Sequence, residues 1–211
     1  MAKVPESFPA PLPEGVEHWP GRLDRAAQEA LLGAVRERVA RSPLFVPRMP
    51  RTGRAMSVRM TNFGALGWVT DRAGGYRYQE RHPETGAAWP DIPRMLMDLW
   101  DELAGDPRAP QACLVNFYDE NAKMGLHQDR DEAVFDAPVL SVSLGDDARF
   151  RVGGTQRGAR TQSFRLASGD VVRLGGPARL AHHGVDRIYA GTSDLLAGPG
   201  RVNLTLRRVT A

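Results

Sequence analysis

The stretch Val139-Leu140-Ser141-Val142-Ser143-Leu144 sets two serines in alternation with apolar residues. This two-residue period is typical of a β-strand with one face buried. Other short apolar segments surround it and are separated by turn residues such as Ser168-Gly169-Asp170. Short strands at this spacing predict an antiparallel sandwich or barrel, a class that includes the jelly roll. The predicted strands are Leu114–Tyr118, Val139–Leu144, Phe150–Val152, Gln162–Leu166, Val171–Leu174 and Val202–Val209.

Two helices are predicted before these strands. Apolar residues recur at helical spacing over Leu23–Val39, with Asp24 near the start. A second stripe covers Ile92–Leu103, with Pro93 in its first turn. Because both stripes are apolar and contain no cluster of reactive groups, we expect the helices to support the core.

The 211 residues are predicted to form a single domain, mainly β with flanking helices (α+β). Residues 1–20 contain five prolines and are expected to be an irregular arm. Residues 21–110 contain the two helices and a Gly- and Arg-rich elaboration between them. Residues 111–211 form the β core.

Composition excludes several classes of protein. Hydrophobic residues make up 42% and charged residues 25%, as in ordinary globular proteins. No apolar run reaches the roughly 18 residues of a membrane span, and the N-terminus lacks the apolar region of a signal peptide. The single cysteine, Cys113, lies in an apolar run and cannot form an intramolecular disulfide. These features predict a cytoplasmic protein with a buried, unreactive thiol.

Positive charge is concentrated in residues 48–81. Seven arginines there are opposed by two acids, which gives the segment a charge of +5, whereas the whole chain carries +3. Aromatic residues lie within the same segment: Phe63, Trp68, Tyr76 and Tyr78. Arginines mixed with aromatic rings suit phosphates and flat bases, so the segment favours a nucleic-acid partner. A solvated loop in an arginine-rich protein is the alternative.

A metal site is suggested by His127-Gln128-Asp129. In an extended chain, residues two apart point to the same side, so the imidazole and the carboxylate would face one ion. A third ligand must come from the remaining histidines, which are His18, His82, His182 and His183. Two histidines and one carboxylate leave three positions of a metal open, as in non-haem iron oxygenases. His182 and His183 lie in the late β region, where a facing strand would bring them near.

The last predicted strand carries a possible dicarboxylate site. In Arg201-Val202-Asn203-Leu204-Thr205-Leu206-Arg207, the arginines, the asparagine and the threonine share one face, and the apolar residues share the other. Two guanidinium groups can bind two carboxylates. Asn116 and Tyr118 alternate in the same way on an earlier strand and could donate to the same ligand. Combined with the metal ligands, this face predicts 2-oxoglutarate as a cosubstrate.

With these residues in place, the sequence resembles the AlkB family of oxidative dealkylation enzymes, and most of all its bacterial DNA-repair members. The likeness runs in order from about Ser42 to Arg208. The matching stretches are Met56-Ser57-Val58-Arg59-Met60-Thr61-Asn62, Leu66-Gly67-Trp68, Asn116-Phe117-Tyr118, Leu126-His127-Gln128-Asp129-Arg130-Asp131-Glu132, Ser141-Val142-Ser143-Leu144-Gly145, Gly169-Asp170-Val171-Val172, His183-Gly184 and the stretch from Arg201 to Arg207.

The resemblance implies a double-stranded β-helix (jelly-roll) oxygenase core. Residues 111–211 would be the catalytic core, and residues 21–110 the helical support and nucleotide-recognition lid. By the same likeness, His127, Asp129 and His183 hold iron(II), since His183 precedes the matching glycine.

The likeness also assigns the cosubstrate and substrate residues. Arg201, Asn203 and Tyr118 would face one carboxylate of 2-oxoglutarate, and Arg207 with Asn116 the other end. The implied substrate contacts are Trp68, Tyr76 and Asp131 around the target base, Met56 in the recognition segment, and Arg157 at the base or the backbone. Arg51, in the basic segment, is predicted from its charge to contact phosphate.

Two positions depart from the family pattern. Leu174 precedes Gly175-Gly176 where a relative has tryptophan, and Arg130 replaces a lysine beside the metal carboxylate. Neither change removes a ligand.

The implied activity is an Fe(II)/2-oxoglutarate-dependent dioxygenase that uses O2 to demethylate bases of the 1-methyladenine and 3-methylcytosine type. Its substrate would be alkylated single-stranded DNA, with RNA and double-stranded DNA as further options, and its products formaldehyde, succinate and CO2. No membrane and no obligate protein partner are expected. The alternatives are an oxygenase acting on a protein or small molecule, and a non-catalytic nucleic-acid-binding β-barrel.

Overall fold

The computed structural model describes residues 11–211, which form two α-helices, one 3-10 helix and twelve strands. The helices are α1 (Arg25–Arg41), α2 (Arg94–Leu103) and a 3-10 turn at Gly176–Ala178. The strands are β1 (Val16–Trp19), β2 (Arg59–Gly64), β3 (Gly67–Asp71), β4 (Gly75–Gln79), β5 (Ala112–Tyr118), β6 (Met124–His127), β7 (Val139–Gly145), β8 (Asp147–Val152), β9 (Gln162–Leu166), β10 (Val171–Leu174), β11 (His183–Tyr189) and β12 (Arg201–Arg207).

Two antiparallel sheets enclose the core. The larger has the strand order β1-β10-β7-β12-β5-β2, and the smaller has the order β6-β11-β8-β9. One apolar cluster joins residues of both sheets, among them Val139 and Leu174 from the larger and Phe150 and Val185 from the smaller. The sheets therefore pack face to face, which confirms the predicted jelly-roll class.

The helices cover the other face of the larger sheet. Leu31 of α1 and Trp100 of α2 pack in one buried cluster with Leu204 and Leu206 of β12. Because side chains alternate along a strand, this leaves the polar residues of β12 facing the space between the sheets. The predicted support role of both helices is confirmed. Neither α-helix of the described part is long and apolar enough to cross a membrane.

The start of α1 agrees with the prediction, whereas the start of α2 differs slightly. Asp24 caps α1, since its side chain accepts a hydrogen bond from the Ala27 amide at 2.8 Å. Pro93 is the N-cap of α2 rather than a residue of its first turn.

The prediction of an irregular arm over residues 1–20 was wrong for residues 16–19, which form β1 at the edge of the larger sheet. This strand pairs antiparallel with β10, and His18 Nε2 lies 2.9 Å from Asp170 Oδ2. A four-residue strand that gains its stability from distant partners carries little local signal. Residues 1–10 of the predicted arm lie outside the described range.

The Gly- and Arg-rich segment between the two helices, residues 44–90, was predicted to be an addition to the β core, but part of it belongs to that core. Strand β2 belongs to the larger sheet and pairs with β5. Only β3 and β4 stand apart, as a two-stranded hairpin. It is held to β2 by Asn62, whose amide group exchanges two hydrogen bonds of 3.0 Å with the backbone of Trp68. We call β3 and β4 the lid hairpin.

Candidate metal and cosubstrate site

A cavity of about 480 Å³ lies between the two sheets and beneath the lid hairpin. Of the fourteen site residues predicted from the sequence, the cavity is lined by twelve: Met56, Trp68, Tyr76, Asn116, Tyr118, His127, Asp129, Asp131, His183, Arg201, Asn203 and Arg207. Arg51 and Arg157 are exposed and lie outside the lining.

Three of these side chains form a cluster with metal-ligand chemistry. Ligand atoms of His127, Asp129 and His183 all lie within 4.8 Å of one another. His127 ends β6, and it stands directly opposite His183 in the pairing of β6 with β11. The Nε2 atoms of His127 and His183 lie 3.6 and 3.7 Å from the two oxygens of Asp129. The fold thus selects His183, while the other candidate histidines lie outside the cluster.

The tautomers of both histidines suit a metal. Nδ1 of His127 donates to the Gly125 carbonyl at 2.9 Å, and Nδ1 of His183 donates to the Ala181 carbonyl at 3.0 Å. With the proton on Nδ1, each Nε2 keeps a lone pair toward the cluster. Burial, followed by the charge of His127, lowers the pKa of His183 to about 4, so this ring is neutral at pH 7.

The carboxylate of Asp129 is held ionised. Burial raises its pKa, but the charge of Arg207, followed by those of His183 and His127, outweighs burial and holds the pKa well below its usual range. Arg207 Nη2 donates to Asp129 Oδ1 at 2.7 Å. The cluster therefore offers one carboxylate and two imidazole Nε2 atoms, a ligand set that suits a divalent metal.

Four buried polar side-chain atoms among the described residues have no hydrogen-bond partner: Asn116 Oδ1, Asp129 Oδ2, Arg201 Nε and Arg207 Nε. All four residues line the cavity. Buried polar atoms are almost always paired, so these four atoms indicate that the cavity binds a polar ligand. The donor set fits a metal together with a small anion that accepts from guanidinium groups.

The polar face of β12 lies along the cavity. Arg201 is fully buried, and it donates to the Asp146 carbonyl at 3.1 Å, to the Leu166 carbonyl at 3.3 Å and to Ser143 Oγ at 2.5 Å. None of these acceptors is charged, and burial lowers the pKa of Arg201 to about 10. This guanidinium therefore has a strong preference for an anionic ligand. Asn203 is oriented by its hydrogen bond to Ser141 Oγ at 2.8 Å.

The lid side of the cavity is aromatic. The rings of Trp68 and Tyr76 stack with centroids 5.8 Å apart and an angle of 22° between their planes. Trp68 Nε1 donates to Asp131 Oδ2 at 2.7 Å. Asp131 is thus tied to the lid hairpin, a contact that the sequence did not predict.

Comparisons with known proteins agree with this geometry. The model of the 2OG-Fe(II) oxygenase superfamily matches residues 15–207. The α-ketoglutarate-dependent dioxygenase AlkB homolog of Caulobacter vibrioides is 58% identical over 195 residues, covering 92% of this chain and 87% of the relative. The chain belongs to the AlkB family. The α-ketoglutarate-dependent dioxygenase AlkB of Escherichia coli is 41% identical over 186 residues, covering 86% of this chain and 85% of that protein.

A solved AlkB-type structure has the same fold. The structure of OsALKBH1 superposes with a TM-score of 0.82 at 30% identity, covering 93% of this chain and 98% of that one. More distant relatives are named for their substrates: a DNA N(6)-methyladenine demethylase of Arabidopsis thaliana and an N6-methyladenosine RNA demethylase of Cryphonectria parasitica. The family, the fold class and the cofactors iron(II), 2-oxoglutarate and O2 are thereby confirmed.

Sequence reasoning missed part of this AlkB site. Behind Arg207 lies a buried network of Tyr78, Glu132 and Arg179. Glu132 lies in the motif that matches the family, and Tyr78 lies among the aromatic residues of the basic segment, so a sequence pattern marked each of them. Arg179 lies in no such pattern, because only folding brings it to the loop that contains Asp129.

Proposed function

We propose that this AlkB family member oxidatively demethylates alkylated bases, of the 1-methyladenine and 3-methylcytosine type, in single-stranded DNA. The observation that carries the proposal is the set of four unpartnered buried atoms on Asn116, Asp129, Arg201 and Arg207. They surround one cavity whose other wall is aromatic.

In this proposal, iron(II) is held by His127, Asp129 and His183. 2-Oxoglutarate is held by Arg207 near the metal ligands and by Arg201 at its other end. When bound, iron(II) with 2-oxoglutarate and O2 supplies the oxidising chemistry, which hydroxylates an N-alkyl carbon so that formaldehyde, succinate and CO2 are released.

Asn116, Tyr118 and Asn203 complete the proposed cosubstrate site. Asn116 is buried, and its Oδ1 is one of the unpartnered atoms. Burial raises the pKa of Tyr118, so its hydroxyl stays protonated and can donate to a carboxylate.

The target base would lie against the lid hairpin. Methylation at N1 of adenine or N3 of cytosine makes the base a cation, and the faces of Trp68 and Tyr76 favour a cation by about 0.5–2 kcal/mol. Asp131 would face that charge and accept from the exocyclic amine. Met56 lines the same cavity.

Access to the cavity favours an unpaired base. The methyl group of such a lesion lies inside a duplex, so the base must be flipped or already single-stranded. Arg51 and Arg157 are exposed outside the cavity, which suits contacts with phosphate rather than with the reacting base. RNA is the second candidate polymer, supported by the relative named as an RNA demethylase.

We also propose a cytoplasmic location, a single oxygenase domain and action without an obligate protein partner. The buried thiol of Cys113, whose pKa burial raises to about 12, supports the first of these. A protein or small-molecule substrate is disfavoured by the +5 charge of residues 48–81.

The test is turnover on matched oligonucleotides that contain 1-methyladenine or 3-methylcytosine. DNA and RNA versions, single- and double-stranded, are incubated with iron(II), 2-oxoglutarate and O2, and formaldehyde is measured. We expect the fastest release from single-stranded DNA and none from methylated peptides. The Asp129→Ala variant is the matched inactive control, because the open-sided site loses its only anion. Formaldehyde from peptides but from no oligonucleotide would refute the proposal.

A further inference from the structure

Tyr78 connects the lid hairpin to Arg207. It lies on β4, and its hydroxyl donates to Glu132 Oε1. The same hydroxyl accepts from Arg207 Nη1 at 3.0 Å. Tyr78 is absent from the cavity lining, so it lies behind the arginine rather than beside the ligand. Burial raises the pKa of Tyr78, which keeps this bridging hydroxyl protonated.

Glu132 forms the fixed end of this connection. Its side chain is fully buried and forms ion pairs with Arg179 at 3.2 Å and with Arg207 at 3.5 Å. Arg179 in turn donates to the Ala137 carbonyl at 2.8 Å and to the Asp129 carbonyl at 2.7 Å. A buried carboxylate with several charged partners has one favoured position, so Glu132 holds the Tyr78 hydroxyl beside Arg207.

The lid hairpin meets the metal-ligand loop at two successive residues. Trp68 of β3 donates to Asp131, and Tyr78 of β4 donates to Glu132. These acceptors follow Asp129 by two and three residues. Neither strand of the hairpin pairs with the larger or the smaller sheet, so side-chain contacts of this kind help to set its position.

We propose that Tyr78 is a positioning residue that links the lid hairpin to Arg207, so that base binding under the hairpin and 2-oxoglutarate binding strengthen each other. The inference rests on the proposed function for the identity of its two ligands. A base that holds the hairpin down keeps the Tyr78 hydroxyl on Arg207 Nη1. Nη2 then stays on Asp129, and the unpartnered Nε stays available for the cosubstrate.

The link acts in both directions. A coupling free energy between two ligands is reciprocal, so 2-oxoglutarate must favour base binding by the same factor.

The experiment measures the binding of 2-oxoglutarate by calorimetry to Mn(II)-loaded protein under nitrogen, so that no turnover occurs. It is done with and without a trinucleotide that contains 1-methyladenine. For the wild type we expect the trinucleotide to lower the Kd of 2-oxoglutarate about fivefold or more. For Tyr78→Phe we expect the Kd without trinucleotide to rise roughly three- to tenfold, as for a lost hydrogen bond, and the effect of the trinucleotide to disappear.

The matched control is Tyr189→Phe. Tyr189 lies on β11 outside the cavity, with the guanidinium groups of Arg165 and Arg187 over its ring. The Tyr189→Phe variant should bind 2-oxoglutarate as the wild type does. An unchanged Kd in Tyr78→Phe overturns the inference, as does a parallel loss of Mn(II) affinity and Tm, which would indicate general damage. A wild type that binds the trinucleotide without any change in the 2-oxoglutarate Kd also overturns it. Failure of the wild type to bind the trinucleotide would instead refute the proposed substrate.

Discussion

Replacement of Arg201 by methionine separates ligand binding from folding. Arg201 is fully buried, and its acceptors are two carbonyls and one hydroxyl. Methionine fills most of the space of the arginine stem but carries neither charge nor donor. We expect Arg201→Met to fold and to bind 2-oxoglutarate much more weakly.

The effect on folding comes from two opposing contributions. Burial lowers the pKa of Arg201 from the ordinary arginine value to about 10, which corresponds to roughly 3 kcal/mol of cost for the charged form at neutral pH. For a base whose pKa is lowered by folding, this cost is fully present below pH 10 and is lost as the pH rises from 10 to the ordinary arginine pKa. Loss of the three hydrogen bonds outweighs this relief, because each contributes about 1.5–3 kcal/mol. Without 2-oxoglutarate, the variant should therefore fold but be roughly a few kcal/mol less stable than the wild type, and the comparison uses the increase in Tm that 2-oxoglutarate gives each protein.

The effect on binding has no such compensation. Removal of the charged partner of a buried carboxylate costs about 2–5 kcal/mol, or at least roughly 30-fold in Kd. At a 2-oxoglutarate concentration of 100 times the wild-type Kd, the wild type gains about 2.7 kcal/mol of stability. The variant would gain less than about 1 kcal/mol at that concentration. For a domain of this size, these gains correspond to Tm increases of roughly 5–10 °C and less than about 4 °C.

The assay is thermal unfolding of the Mn(II)-loaded proteins with and without 2-oxoglutarate, followed by circular dichroism. Arg208→Met is the matched control, since Arg208 lies just past β12 and donates to the Ala109 and Ala211 carbonyls. It should keep the full increase in Tm. Equal losses in the two variants, or a full increase in Arg201→Met, would refute the assignment of Arg201 to the cosubstrate.

Two further predictions concern the metal and the base. His183→Ala should lose Mn(II) binding and turnover, whereas His182→Ala should keep both, because only His183 lies in the metal cluster. Inactivation by the His182 change alone would reverse the assignment of the ligand. Asp131→Ala should reduce repair of cationic 1-methyladenine more than repair of neutral etheno adducts, because a negative charge favours only the cationic base. Trp68→Ala should weaken repair of both lesions. Competition assays with the two lesions in one oligonucleotide measure this ratio, and proportional losses in Asp131→Ala would assign that residue to holding the lid hairpin through Trp68.

Local patterns predicted the parts of the fold that have a local cause. Strands β9 and β10 occur over the predicted residues 162–166 and 171–174, because alternation and turn residues define them within a short window. The two faces of β12 were predicted for the same reason. Strand β1 had no such signal, since it consists of four residues paired with a segment more than 150 positions away.

The sequence also determined the chemistry of the site, because the histidines, the carboxylate and the two arginines occur in motifs that match one family. Only the tertiary structure decided which groups meet. The register of β6 with β11 places His183, and not His182, opposite His127. Folding alone brings Tyr78, Glu132 and Arg179 behind the guanidinium of Arg207. The physical reason is that side-chain direction within a strand is local, whereas the contacts between strands depend on a register that the whole core selects.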